Sequence, residues 1–175
     1  MLDAAQLLKI VPRVKGEAEK IVTAINSAME GAEINTPLRA CHFIAQIAHE
    51  TDGFKHFKEI GNNDYFRRYD NKVNLGNSLP GDGARYKGRG FIQITGKVNY
   101  AKASKELGLD LVNNPELAET LEIGARIAAW YWSSRNLNVY ADKDDITSVT
   151  KRINNNILGL EEIVVYYNKA KSVIK

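Results

Sequence analysis

The chain has 175 residues, 44% hydrophobic and 26% charged, a balance that supports a packed core and excludes a disordered or fibrous chain. The formal charge of +3 is mild, with cations dispersed among acids rather than interleaved with aromatics, so no nucleic-acid partner is expected. No apolar run approaches the roughly 20 residues that span a bilayer, and the single cysteine, Cys41, excludes an internal disulfide framework.

Leu2 to Ile10 and Glu17 to Met29 read as two short helices separated by Pro12 and Gly16. With Asp3 early and Pro12 interrupting it, the N-terminal segment lacks the pattern of a secretory signal, which predicts cytosolic folding. Thr36 is placed to cap a third helix with Pro37 at its first position, running through Phe43, Ile44 and Ile47 to a stop at Gly53. From Gly61 to Gly90 the composition turns to Gly, Asn, Asp and Tyr, which predicts loops with short helical turns. Phe91 to Thr95 reads as a short extended segment, Gln93 and Thr95 on one face and Ile92 and Ile94 on the other. Helix returns from Lys97 to Leu107, ending at Gly108, and Asn114-Pro115 is expected to open the longest helix, to about Ser134. Asp144 or Asp145 caps another, and Leu160 to Ile174 forms the last.

The fold class expected is mainly α: a helical body with a smaller loop-rich lobe, approximately residues 51–90, flanking a substrate groove. The whole of 1–175 is expected to act as one catalytic domain with no separate wall-binding module.

At His49-Glu50-Thr51-Asp52-Gly53-Phe54 a carboxylate sits in the last turn of an apolar helix. The negative end of the helix dipole and apolar surroundings both disfavour ionisation, as a general acid at neutral pH requires. Glu59 follows beyond the Gly53 turn, and two carboxylates in different environments are the minimum for glycoside hydrolysis. The bland alternative is a pair of solvated surface charges.

A second motif runs from Tyr86-Lys87-Gly88-Arg89-Gly90-Phe91-Ile92-Gln93-Ile94-Thr95 to Asn99-Tyr100. Gly88 and Gly90 permit close backbone approach to a ligand, and Gln93, Thr95 and Asn99 are neutral polar groups suited to sugar hydroxyls and a held water. A glycine-rich turn feeding a buried strand is the structural alternative for the glycines. Trp130, Tyr131 and Trp132 offer either a sugar-stacking platform or core, the latter being commoner on a long helix, so at least one Trp is assigned to the core; Tyr65, Phe66 and Tyr69 are better placed to line a cleft.

These motifs resemble the family 19 chitinases, and especially the related phage lysozymes and endolysins, whose H-E-[ST]-G-G-F helix end is followed nine residues later by a second Glu. A P-G-D-G-x-x-Y-x-G-R-G-x-I-Q-[IL]-[ST] stretch, an N-Y pair, an N-P-x-L helix start, an A-x-W-[FY]-W helix and an R-x-I-N-G-G segment follow in the same order, from about Phe43 to Leu160. The resemblance implies a lysozyme-like fold, Glu50 as proton donor, Glu59 as the base that activates water, and Thr95 helping to hold that water. Gln93, Asn99 and Asn154 would contact the sugar chain with Tyr86 and Tyr65 nearby, and Arg89 would brace the cleft. It implies inversion at the anomeric carbon, for which the two carboxylates stand roughly 6.5–9.5 Å apart. Asp64 and Asp70 are the alternative bases.

Two positions depart from the family pattern. Asp52 stands where the family has Gly, adding a negative charge near Glu50 that is expected to raise its pKa. Asn155-Asn156 replaces Gly-Gly, and Asn is the non-glycine residue that most readily adopts a left-handed backbone.

The function implied is an endolysin that hydrolyses β-1,4 bonds of peptidoglycan glycan strands and lyses the host cell wall. It would be a monomer without cofactor or metal, held in the host bacterial cytoplasm until another protein opens the membrane. Chitin hydrolysis, a non-catalytic wall-binding module and a metal-dependent peptidase are the competing readings. For the last, Cys41, His42, His49 and His56 lie near Glu50, yet position 53 is Gly and the second histidine of H-E-x-x-H is missing.

Overall fold

A computed structural model describes residues 1–175. Helix α1 (Ala4–Ile10) opens with a capping box, Asp3 accepting from the Gln6 amide while Gln6 reciprocates. A 3₁₀ turn at Pro12–Val14 separates it from α2 (Ala18–Gly31). α3 (Pro37–Glu50) starts where the sequence predicts: Thr36 accepts from Arg39 N, and Pro37 sits where no N–H is needed. Residues 40–48 are all buried, so the middle of α3 is enclosed on every side, and only its start, Pro37 to Arg39, and its last turn, His49 and Glu50, reach the surface.

The loop region holds two single-turn helices, α4 (Asn63–Phe66) and α5 (Asp82–Arg85), and 3₁₀ turns. Helical order then resumes with α6 (Lys97–Leu107), α7 (Leu121–Ser134), α8 (Asn138–Ala141), α9 (Ile146–Asn154) and α10 (Leu160–Val173). α10 packs along α3 and α2 along α7, giving a mainly α, lysozyme-like body. Trp132 locks α7 to α3, its ring edge-on to Phe43 and its Nε1 donating to Asn138 Oδ1 at 2.8 Å. No helix is long and apolar enough to cross a membrane.

The hydrophobic core of 43 buried residues takes none from 55–85, which is why that stretch forms a lobe held mainly by polar contacts. Asp70 accepts from the Gly81 and Gly83 amides at 3.1 and 2.7 Å, Asp82 accepts from Ser78 and Leu79, and Asn77 ties Tyr69 O to Lys97 N. Phe66, expected to line a cleft, is instead the lobe's one buried hydrophobic side chain, packed against Tyr65 and Tyr69.

Two expected elements differ. Residues 91–93 form a turn rather than a strand: Arg89 and Ile94 exchange backbone hydrogen bonds at 3.3 and 2.9 Å, and Gln93 closes the turn with φ +48°. Alternating burial of Ile92 and Ile94 satisfies a turn over a core as well as a strand. The long helix from Pro115 breaks into a 3₁₀ segment (Pro115–Glu119) and α7, because Thr120 is extended and its hydroxyl caps Ile123 N. α7 is therefore no longer than α2, α3 or α10.

Candidate active site

Glu50 ends α3 just before a turn in which Asp52, Gly53 and Phe54 all take positive φ, +48°, +63° and +60°. Thr51 pins that turn from inside, its buried hydroxyl donating to Ile47 O at 2.6 Å and accepting from Phe54 N at 2.9 Å. Burial pushes the Glu50 carboxyl above its ordinary value; neighbouring His49 and the Asn154 side chain act the other way without cancelling it. Tyr131 completes the surroundings, its hydroxyl donating to Ile153 O at 3.0 Å and its pKa raised by burial, opposed by Arg135 and helped by Glu50.

Asp52 does not act on Glu50 as expected. Its carboxylate turns to Arg13 (3.3 Å), His56 (3.8 Å) and Lys55 (4.0 Å), which spend its charge elsewhere. The backbone at Asp52 nevertheless keeps the left-handed conformation suited to the glycine of the family pattern. Asn155 likewise takes φ +57°, so the turn after Asn154 survives the loss of glycine.

Glu59 lies in the loop lobe, where four donors converge on it. Oε1 accepts from Tyr69 Oη at 2.9 Å, Tyr65 Oη at 3.2 Å and Arg68 Nη2 at 3.4 Å, and Oε2 accepts from Gly88 N at 3.1 Å. An ionised, acceptor-only carboxylate matches this set. Arg68 is clamped over the Tyr65 ring, 3.6 Å from its centroid, and hydrogen-bonds both tyrosine hydroxyls. The alternative bases are engaged elsewhere: Asp70 by the two glycine amides, which hold its carboxyl below the ordinary range, and Asp64 by Arg67 at 3.1 Å on the open surface.

The glycine motif divides into two roles. Gly88 belongs to the site, since a Cβ there would stand 2.9 Å from Gln93 Oε1 and 3.4 Å from Glu59 Oε2. Gly90 approaches no ligand surface; its φ of +75° and contact with Ala118 O, 2.7 Å from where a Cβ would lie, serve packing against Gly124 of α7. Gln93 Nε2 donates to Gly90 O at 2.9 Å. Thr95 Oγ1 donates to Gln93 O at 2.9 Å, and Asn99 Nδ2 to Thr95 O at 2.8 Å, leaving hydroxyl lone pairs and an amide oxygen uncommitted.

Arg89 braces this wall: buried, it bonds Glu119 at 2.7 Å, Arg85 O at 2.8 Å and Tyr100 Oη at 3.1 Å. Tyr86 is core rather than groove surface, 3% exposed, with its hydroxyl donating to Val112 O at 3.2 Å. Tyr65 stands 39% exposed above Glu59.

The structure thus assembles two constellations, Glu50 with Asn154 and Tyr131 on the helical body, and Glu59 with Tyr65, Arg68, Tyr69, Gly88 and Gln93 in the lobe. Arg68 was not anticipated from sequence and carries no local signal; Tyr131 sits in the aromatic triplet of α7, whose sequence favours a core role over sugar stacking. The histidines and cysteine near Glu50 disperse, Cys41 into the core, His42 to Asp144, His49 to Glu162 and His56 to Asp52. A cavity of about 430 Å³ lined by Leu2, Asn26, Met29 and Ile174 lies by the chain ends and touches neither carboxylate.

Residues 21–151 match the family described as chitinase class I, glycoside hydrolase family 19. A family 19 glycosyl hydrolase domain-containing protein of Haemophilus influenzae is 32% identical, covering 93% of this chain and 92% of its own. Chitinase 8 of Oryza sativa is 37% identical over 55% of this chain, and the chain spans only 35% of that relative. Chitinase C of Streptomyces griseus superposes with a TM-score of 0.78 at 24% identity, over 97% of this chain and 75% of that one. A bacterial family 19 chitinase gives 0.76 at 23% identity, over 97% and 93%. Both share the fold.

Proposed function

The chain belongs to glycoside hydrolase family 19 and is a glycosidase related to chitinases, and from that premise we propose that it cleaves β-1,4 bonds of peptidoglycan glycan strands as an endolysin. The observation that carries the reading is the contrast between two carboxyl groups: Glu50 is pushed by burial toward its protonated form, and Glu59 is met by four hydrogen-bond donors. Glu50 donates its proton to the glycosidic oxygen as the C1–O bond breaks. Glu59 takes a proton from the water that attacks C1 from the opposite face, so the product is the α anomer. Thr95, whose own proton is committed to Gln93 O, accepts a hydrogen bond from that water. Gln93, Asn99, Asn154 and Tyr65 contact the sugars.

The whole chain acts as one catalytic unit, a monomer needing no cofactor. It waits in the host cytoplasm, which suits the unpaired thiol of Cys41, until another protein opens the inner membrane. Peptidoglycan is favoured over chitin because a bacterial relative is matched along nearly its full length, whereas the plant chitinases extend far beyond the matched part. Chitin is the second reading, favoured by the family description and the chitinase relatives.

Mass analysis of fragments released from purified peptidoglycan and from chitin tests this. Wild type should release reducing disaccharide units from peptidoglycan as the α anomer, and Glu50→Gln or Glu59→Gln should each slow release by roughly 10²–10⁴-fold. Undiminished release by Glu50→Gln overturns the mechanism, and release from chitin alone overturns the substrate.

A further inference from the structure

Beside the Glu50 constellation lies a recess of about 450 Å³ lined by Arg135, Tyr140, Ser148, Lys151, Arg152 and Asn155. Ser148, Lys151, Arg152 and Asn155 recur at i, i+3, i+4 and i+7, so they share one face of α9 and its end, and Arg135 faces them from the end of α7. No acidic residue lines the recess, and none of its three cations joins any of the chain's salt bridges.

Lys151 and Arg152 in the last turn of α9 complement the helix dipole, which accounts for those two charges. Neither helix dipole accounts for all three cations meeting in one recess, although the α7 C-cap position also suits the Arg135 guanidinium. That guanidinium is half-buried, lies 3.2 Å from the Tyr131 ring centroid, and has one side-chain hydrogen bond, to Ser134 Oγ at 3.2 Å. Arg152 is held in the same way, 4.3 Å from the Tyr140 centroid. A guanidinium held over an aromatic ring keeps N–H donors available at its edge, and such donors pair with carboxylates.

The recess continues from the acid's side of the site. Asn155 follows Asn154, which reaches Glu50, and the Tyr131 ring beneath Arg135 lies within the field of Glu50. We infer that this recess binds the carboxylates of an acidic side arm on the glycan, the lactyl-peptide stem borne by every second sugar of peptidoglycan, through Arg135, Lys151 and Arg152. The inference rests on the proposed activity and deepens it: chitin carries only neutral acetamido groups, so the recess would distinguish the two polymers.

Calorimetric binding on a Glu50→Gln background separates affinity from turnover, using a disaccharide-tetrapeptide muropeptide and, as neutral control, tetra-N-acetylchitotetraose. Lys151→Gln/Arg152→Gln changes only exposed side chains and should weaken muropeptide binding by about tenfold, with neutral tetrasaccharide affinity held within about twofold. Adding Arg135→Gln should weaken it further, and raising the salt should erase most of the difference. Equal muropeptide affinity in wild type and variants overturns the recess even if the enzyme digests walls. Equal losses on both ligands overturn it too, as does a DNA duplex that outcompetes the muropeptide for the same residues. Loss of muropeptide affinity in the variants, with no fragments released from peptidoglycan by wild type, supports the recess and rejects only the proposed activity.

Discussion

Replacing Arg89 by Met keeps most of the stem volume and deletes the guanidinium that ties the Gly88–Thr95 wall to the segment before α7. The loss comprises the ion-paired bond to Glu119 and the bonds from the same cation to Arg85 O, Tyr100 Oη and Lys87 O. Removing one partner of such a buried, hydrogen-bonded ion pair costs about 3–5 kcal/mol, and the fold should lose about that much. The Arg89 side chain is only 8% exposed, so water cannot replace the partners left behind, although Glu119 keeps Lys58 at 3.2 Å. Burial alone would raise the Glu119 pKa; the bonds from Arg89 and Lys58 outweigh it and hold the carboxyl below its ordinary value of 4.5. Its share of stability is therefore present above pH 4.5 and is lost as the pH falls through the lower folded value, a slope that Arg89→Met should flatten. Equilibrium urea unfolding followed by circular dichroism from pH 3 to 7 measures both effects. A loss under about 1 kcal/mol, or full additivity with Glu119→Gln, would refute the bracing role.

Gly90→Ala should cost about 2–4 kcal/mol in the same assay, since φ +75° and a Cβ 2.7 Å from Ala118 O leave no room; a variant as stable as wild type contradicts the packing described. At position 52, Gly should stay within about 1 kcal/mol of Asp while Val loses about 2 kcal/mol, because β-branched residues tolerate the left-handed region worst. If Val matched Gly in thermal unfolding, the turn would not need its positive φ. Because the folded state raises the Glu50 pKa, the stability it costs is absent below pH 4.5 and appears as the pH climbs through the folded value. Glu50→Gln should thus unfold at a higher temperature than wild type at pH 8 and at a similar one at pH 4; a variant less stable at pH 8 counts against the assignment.

Where local chemistry decides the outcome, the sequence was a sufficient guide. Thr36 and Pro37 announce α3, Gly108 ends α6 with φ +65°, and Asn114-Pro115 marks a helical start. The Gly-Asn-Asp stretch marks loops and short turns because such residues favour turns, and Val73 and Leu79 within it stay exposed. The break at Thr120 was hidden because continuous helical spacing across it does not reveal that Gly90 presses against Ala118 O. For Gly90 a ligand contact and a packed turn are both open from sequence, since a close approach looks the same whether ligand or helix supplies the surface. Tyr86 was placed in the groove because its motif lies there, while its side chain points to Val112 and Tyr100. Tyr131 and Arg68 reach the carboxylates only through tertiary packing, and no spacing rule links positions 131 and 50.

A ¹³C NMR titration of the Glu50 side-chain carboxyl, in wild type and in Asn154→Ala, probes the proton-bearing acid itself. Glu50 should titrate above its ordinary value of 4.5 in wild type and higher still once Asn154 is removed, because that side chain opposes the effect of burial. Titration at or below 4.5, or a downward move in Asn154→Ala, would contradict the account.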